Sequence, residues 1–106
     1  MPEQVKELPT QKRIRETLRE LDALITEAEG DGKDAAGYRY GDMLRRYRRA
    51  LEGALTWDWE ATCVYAMEGA GWAQQQYVTI IALCTDGDVT QDWIDADARA
   101  LAEAGA

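Results

Sequence analysis

The sequence predicts an all-α fold, a compact bundle of four to five helices. Ala, Arg, Glu and Leu dominate, with 17 Ala among 106 residues, while Val, Ile and Thr are scattered. Apolar residues recur at Ile14, Leu18, Leu21, Ile25 and Ala28, in steps of four and three that make one helical stripe. The stretch with most strand character, YVTII at 77–81, has no second strand with which to pair. At this length one domain closes over one modest core.

Residues 1–9 are expected to form a flexible lead, followed by a single helical domain over 10–106, with Pro9-Thr10 as an N-cap signal. The first helix carries the Ile14 to Ala28 stripe and ends where Gly30 suits a C-cap. So narrow a stripe fits either packing within the domain or a short coiled-coil seam. GDGKDAAG at 30–37 reads as a linker and lacks phosphate-loop spacing. A second helix is expected from Asp42 to about Leu55, with Met43, Leu44, Tyr47, Leu51, Ala54 and Leu55 inward. Thr56 is the expected cap of a third helix through Trp57, Ala61, Val64, Tyr65 and Met67. Gly53 is so weak a breaker that 42–70 reads as one bent helix or two. Glu68 to Gly71 interrupts the pattern. Residues 72–84 then read as helix, facing inward through Ala73, Tyr77, Ile80, Ile81 and Cys84. After the turn TDGD, Thr90 is expected to cap a last helix with Trp93, Ile94, Ala98 and Leu101 inward. Trp57, Trp72 and Trp93 are the expected core aromatics, and Trp59 the exposed one.

Composition removes several chemistries. The chain has no His, Ser or Asn, so Ser-His and Cys-His nucleophiles, imidazole bases and histidine metal ligands are absent. Cys63 and Cys84 form neither a disulfide framework nor a metal spacing, and are expected as reduced, packed thiols in a reducing cytoplasm. The alternation of Asp86, Asp88, Thr90 and Asp92 resembles the start of a calcium loop. It has Gln91 where the turn needs Gly and Asp97 where the loop needs Glu, so neither metal nor cofactor is expected. No signal-like or membrane-length apolar run is visible, and a soluble, cytoplasmic, non-enzymatic protein is expected.

Charge is divided unevenly. The net charge is -8, but residues 31–50 sum to +3 and residues 51–106 to -9. YRYGDMLRRYRR, at 38–49, holds the excess of cations. Tyr38, Arg39, Tyr40, Arg45, Arg46, Arg48 and Arg49 are the candidate binding residues, because arginines track phosphates and exposed aromatic rings stack on bases of a single strand. Tyr47 is placed inward, and Arg48–Glu52 is an i,i+4 pair available for internal neutralisation. The alternative surface is acidic: Asp86, Asp88, Asp92, Asp95 and Asp97, able to mimic a nucleic acid towards a basic groove. Asp97 falls on the apolar side of its helix, as a rim residue, an internal partner or an interface group.

A short, acidic, helical chain that prefers Arg to Lys resembles the accessory proteins of bacteriophages and mobile elements, and is similar in size and character to the anti-CRISPR inhibitors of type I systems. The resemblance lies in length, charge and helical content over the whole chain and carries over no functional residue. It implies a stoichiometric binder of an effector complex or of its nucleic acid, single-stranded DNA above all, acting as a monomer or weak dimer without an active site. An acidic mimic, and an adaptor or toxin partner that dimerises through the first helix, are the alternatives.

Overall fold

A computed structural model describes residues 7–31, 35–85 and 87–105, with the side chains of residues 29–39 outside the description. The described residues form five helices: α1 (Pro9–Asp31), α2 (Ala35–Ala54), α3 (Trp59–Met67), α4 (Gly71–Cys84) and α5 (Thr90–Gly105). There is no strand among the described residues, and the fold is the all-α bundle expected. Residues 77–84 are helical, and the 42–70 region is two helices parted by a turn at 55–58.

α1 and α2 pack against each other as a helical hairpin, and α3, α4 and α5 pack together beside it. The molecule measures 53 × 34 × 19 Å. Its radius of gyration is 16.0 Å, against about 13 Å for a compact chain of this length. The bundle is therefore elongated. Several boundaries differ from expectation. α1 continues through Gly30 to Asp31 and α2 begins at Ala35, so most of the expected linker is helix and only 32–34 lie outside the described residues. Of the expected lead, Leu8 is buried and Pro9 opens α1, while residues 1–6 lie outside the described residues.

The core is built on Ile14, Leu21, Leu44, Leu51, Trp59, Tyr77, Ile80, Ile81, Trp93 and Ile94. Trp59 stands at its centre. Its Nε1–H donates to the Ala54 carbonyl at 2.8 Å and its ring meets Tyr77 edge-on, with centroids 5.1 Å apart. The tryptophan assignment is thus reversed at two positions, since Trp59 is buried and Trp72 is 54% exposed. The reason is the cap. Asp58, not Thr56, starts α3, its side chain accepting the Ala61 N–H at 3.1 Å. Trp57 therefore lies in the preceding turn and sets no helical phase, and α3 buries Trp59, Thr62, Cys63 and Ala66 instead of Val64, Tyr65 and Met67.

α1 is capped from another part of the chain. The Leu8 carbonyl accepts the Lys12 N–H, making Leu8 the N-cap with Pro9 in the first helical position. The Leu8 N–H donates to Gln11 Oε1 at 2.8 Å, one half of a capping box. Leucine has no oxygen for the other half. That role falls to Asp97 of α5, whose Oδ1 accepts the Thr10 N–H at 2.9 Å and whose Oδ2 accepts the Tyr77 hydroxyl at 2.7 Å. Asp97 is completely buried, so it is an internal partner and not part of an acidic surface. A carboxylate here also meets the positive end of the α1 dipole. Thr10, expected as the cap, lies inside the helix instead, and its buried Oγ1 has no partner among the described residues.

Removing this carboxylate strands two donors at about 1–3 kcal/mol each. Asp97→Ala is therefore expected to lower the thermal midpoint by at least ~10 °C, read by circular dichroism; a fall of under ~3 °C would show that the cap is dispensable. Alkali should act on the same core. Burial, then the bond to Asp97, holds the Tyr77 phenol above its ordinary value, and burial likewise raises the Cys63 and Cys84 thiols. The folded state keeps protons that the unfolded chain releases, so stability is complete below the ordinary values of 9.0 and 10.0 and falls as pH rises through them. Urea midpoints measured from pH 7 to 11 should decline above pH 9, and a flat profile would contradict this burial.

Candidate functional site

The basic strip lies along α2, whose inner face is fixed by the buried Leu44, Leu51 and Ala54. At about 100° per residue, Arg45, Arg46 and Arg49 cluster on the opposite side, and all three are exposed. Arg48 is not equivalent. It sits on the flank facing α1, where its Nε donates to Asp22 Oδ1 at 2.6 Å and its Nη1 to Glu52 Oε2 at 2.9 Å. These two carboxylates raise its already high pKa, Asp22 contributing more. Arg48 thus ties α2 to α1 and leaves the binding set. Arg45 is 3.6 Å from Asp42, so one acid stands among the three arginines.

The aromatics divide differently from the sequence reading. Tyr40 is 45% exposed, but it lies about 140° round the helix from Arg45, on the flank of Met43 and Tyr47. Those two, expected inward, are also partly exposed, since the body covers only part of the hairpin. Tyr38 and Arg39 have side chains outside the described residues. The site that the structure brings together is therefore Arg45, Arg46 and Arg49.

The acidic alternative also contracts. Asp88, Asp92 and Asp95 are exposed at four- and three-residue spacing around the start of α5. Asp88 Oδ1 accepts the Thr90 N–H at 3.4 Å, so Asp88, not the Thr90 side chain, serves the helix start, and Asp95 Oδ1 accepts from Gln91 at 2.8 Å. Asp97 is buried, and Asp86 lies outside the described residues. Among the described residues no group of three or more His, Cys, Asp or Glu side chains is placed to hold a metal, and no helix is long and apolar enough to cross a membrane. Where α1 meets α4 and α5, a groove of about 260 Å³ is lined by Arg13, Glu16, Thr17, Glu20, Cys84, Thr85 and Trp93. The Arg13 guanidinium lies 4.6 Å over the Trp93 ring there. Burial favours the neutral Cys84 thiol, the reverse of nucleophile activation.

Sequence reasoning missed a surface at the α3–α4 corner. Val64, Tyr65, Met67 and Trp72 are 45%, 47%, 59% and 54% exposed. The Tyr65 and Trp72 rings lie 5.4 Å apart across the turn, which Gly69 closes with a φ of +89° that favours glycine. The available signal was that α3 carries more large apolar residues than a single buried face requires, with Glu60 its one charge.

The division of labour along α2 has a direct check. Arg48→Ala is expected to lower the melting temperature by a few degrees, while Arg46→Ala and Arg49→Ala leave it unchanged. Equal losses at all three positions would place Arg46 and Arg49 in internal pairs as well.

The chain matches no protein-family model, no curated protein and no solved structure.

Proposed function

We propose that the chain is a non-enzymatic inhibitory binding protein of anti-CRISPR type, encoded by a phage or mobile element. It binds nucleic acid exposed by a type I effector complex, or the complex itself, through Arg45, Arg46 and Arg49. The observation that carries this reading is the exposure of three arginines on one side of α2 in a molecule of net charge -8. Cations on a surface otherwise dominated by acids attract a polyanion most where they stand clear of internal partners, and Arg46 and Arg49 have no ion pair among the described residues, while Arg45, beside Asp42, adds to the same cluster. With Tyr40 on another flank, phosphate contacts and the planar guanidinium groups contribute more than aromatic stacking. Such contacts position a strand without reading its sequence.

A second reading draws on the exposed Asp88, Asp92 and Asp95, which form an acidic stripe suited to the basic groove of a protein partner. Dimerisation through α1 has less support. The stripe that would form its seam is already turned into the core, with Ile14 and Leu21 buried by the chain's own helices.

Anisotropy of a labelled oligothymidylate separates these readings. Saturable binding is expected, with a log–log salt slope near -2 for about three neutralised phosphates, and Arg45→Glu combined with Arg49→Glu should abolish it. Unchanged binding or inhibition in that variant excludes the α2 surface. Loss of partner binding in Asp92→Lys combined with Asp95→Lys, with the arginine variant unaffected, would establish the acidic reading instead.

A further inference from the structure

From the α3–α4 corner we infer a second interaction surface, a docking site for a basic protein segment that carries large apolar side chains among Arg or Lys residues.

Exposed Trp, Tyr and Met are the residue types that anchor interfaces, and here the Tyr65 and Trp72 rings lie 5.4 Å apart, with Met67 exposed at the C-terminal end of α3. Nothing in the fold explains their exposure. α3 turns Trp59, Thr62, Cys63 and Ala66 into the core, which satisfies its packing, and still presents Val64, Tyr65 and Met67 outward. Gly69 closes the corner through its positive φ, and two bonds cross it, the Gln74 side chain donating to the Ala66 carbonyl at 3.1 Å and the Ala70 N–H to the Tyr65 carbonyl at 2.9 Å. The surface is thus preformed.

Charge selects the occupant. Residues 50–98 contain nine acids and no Lys or Arg. Helical pitch on α3 places the exposed Glu60 one turn before Val64, and the exposed C-cap residue Glu68 follows one turn after it. A second copy docked through the same corner would set these carboxylates against each other. Anionic lipid and nucleic acid meet the same repulsion. A segment with Arg or Lys around apolar anchors instead answers both features, its side chains covering Trp72 and Met67 while its cations face Glu60 and Glu68. This surface is separate from the α2 arginines and does not depend on their role.

A phage-displayed library of random 12-residue peptides, panned on the full chain, tests the inference. Enriched peptides should combine two or more large apolar residues with Arg or Lys. A labelled representative should lose at least ten-fold in affinity to Trp72→Ala combined with Met67→Ala, and similarly to Glu60→Lys combined with Glu68→Lys. The second variant changes only exposed carboxylates, so it remains informative if the first folds poorly. Three outcomes would overturn the inference: no basic–apolar enrichment, equal affinity for both variants, or wild-type dimers in sedimentation that Trp72→Ala dissociates. The last would assign the corner to a second copy.

Discussion

Most of this architecture hangs on one buried carboxylate. Asp97 joins three helices, one of them far away in sequence, accepting the Thr10 N–H of α1 and the Tyr77 hydroxyl of α4 from its own place on α5. A buried acid is costly unless its oxygens are satisfied, and here each oxygen has a donor. The bond fixes where α1 begins. It also orients the Tyr77 ring against Trp59, around which α3 packs. Because Leu8 has no side-chain oxygen, the α1 terminus depends on tertiary structure for its cap, and the hairpin and the rest of the bundle are coupled at that point.

That coupling sets two unlike surfaces on one small molecule. The hairpin carries the exposed arginines of α2, held in place partly by the bridge from Arg48 to Asp22. The remainder is acidic, with an apolar corner where α3 turns into α4. On the proposed reading, arginines on the first surface would contact phosphates without base readout, and the aromatic cluster on the second would offer anchors of the kind that decide partner choice. A molecule with both is suited to bridging or blocking a complex that contains nucleic acid and protein together, which is the setting of the proposed function.

The helices were legible in the sequence where one face was distinctly apolar. The stripe from Ile14 to Ala28 gave α1, the inward set Ala73, Tyr77, Ile80 and Ile81 gave α4, and Trp93 with Ile94 gave α5; the stripe as far as Ile25, and all of the other residues, pack in or against the core. α3 was misread for a physical reason. Its apolar residues are spread around the helix, with Glu60 the one charge, so periodicity sets no clear phase, and the direction depends on where Asp58 places the first turn. The role of Asp97 required contacts spanning 87 residues, which local pattern does not encode. In the candidate site, the exposure of Arg45, Arg46 and Arg49 followed from the wheel. The separation of Tyr40 from them was implicit in the same spacing, but adjacency in sequence had masked it. The tie from Arg48 to Asp22 needed the hairpin.

The most direct test of the account is a nuclear magnetic resonance titration of the protein with oligothymidylate, following the arginine Nε–H and tryptophan indole signals together. Shifts confined to Arg45, Arg46 and Arg49, with Trp72 and Trp59 unmoved, would place the nucleic acid on α2 and leave the α3–α4 corner open to another partner. Shifts at Trp72 with the three arginines unmoved, or no shifts at low salt, would contradict it.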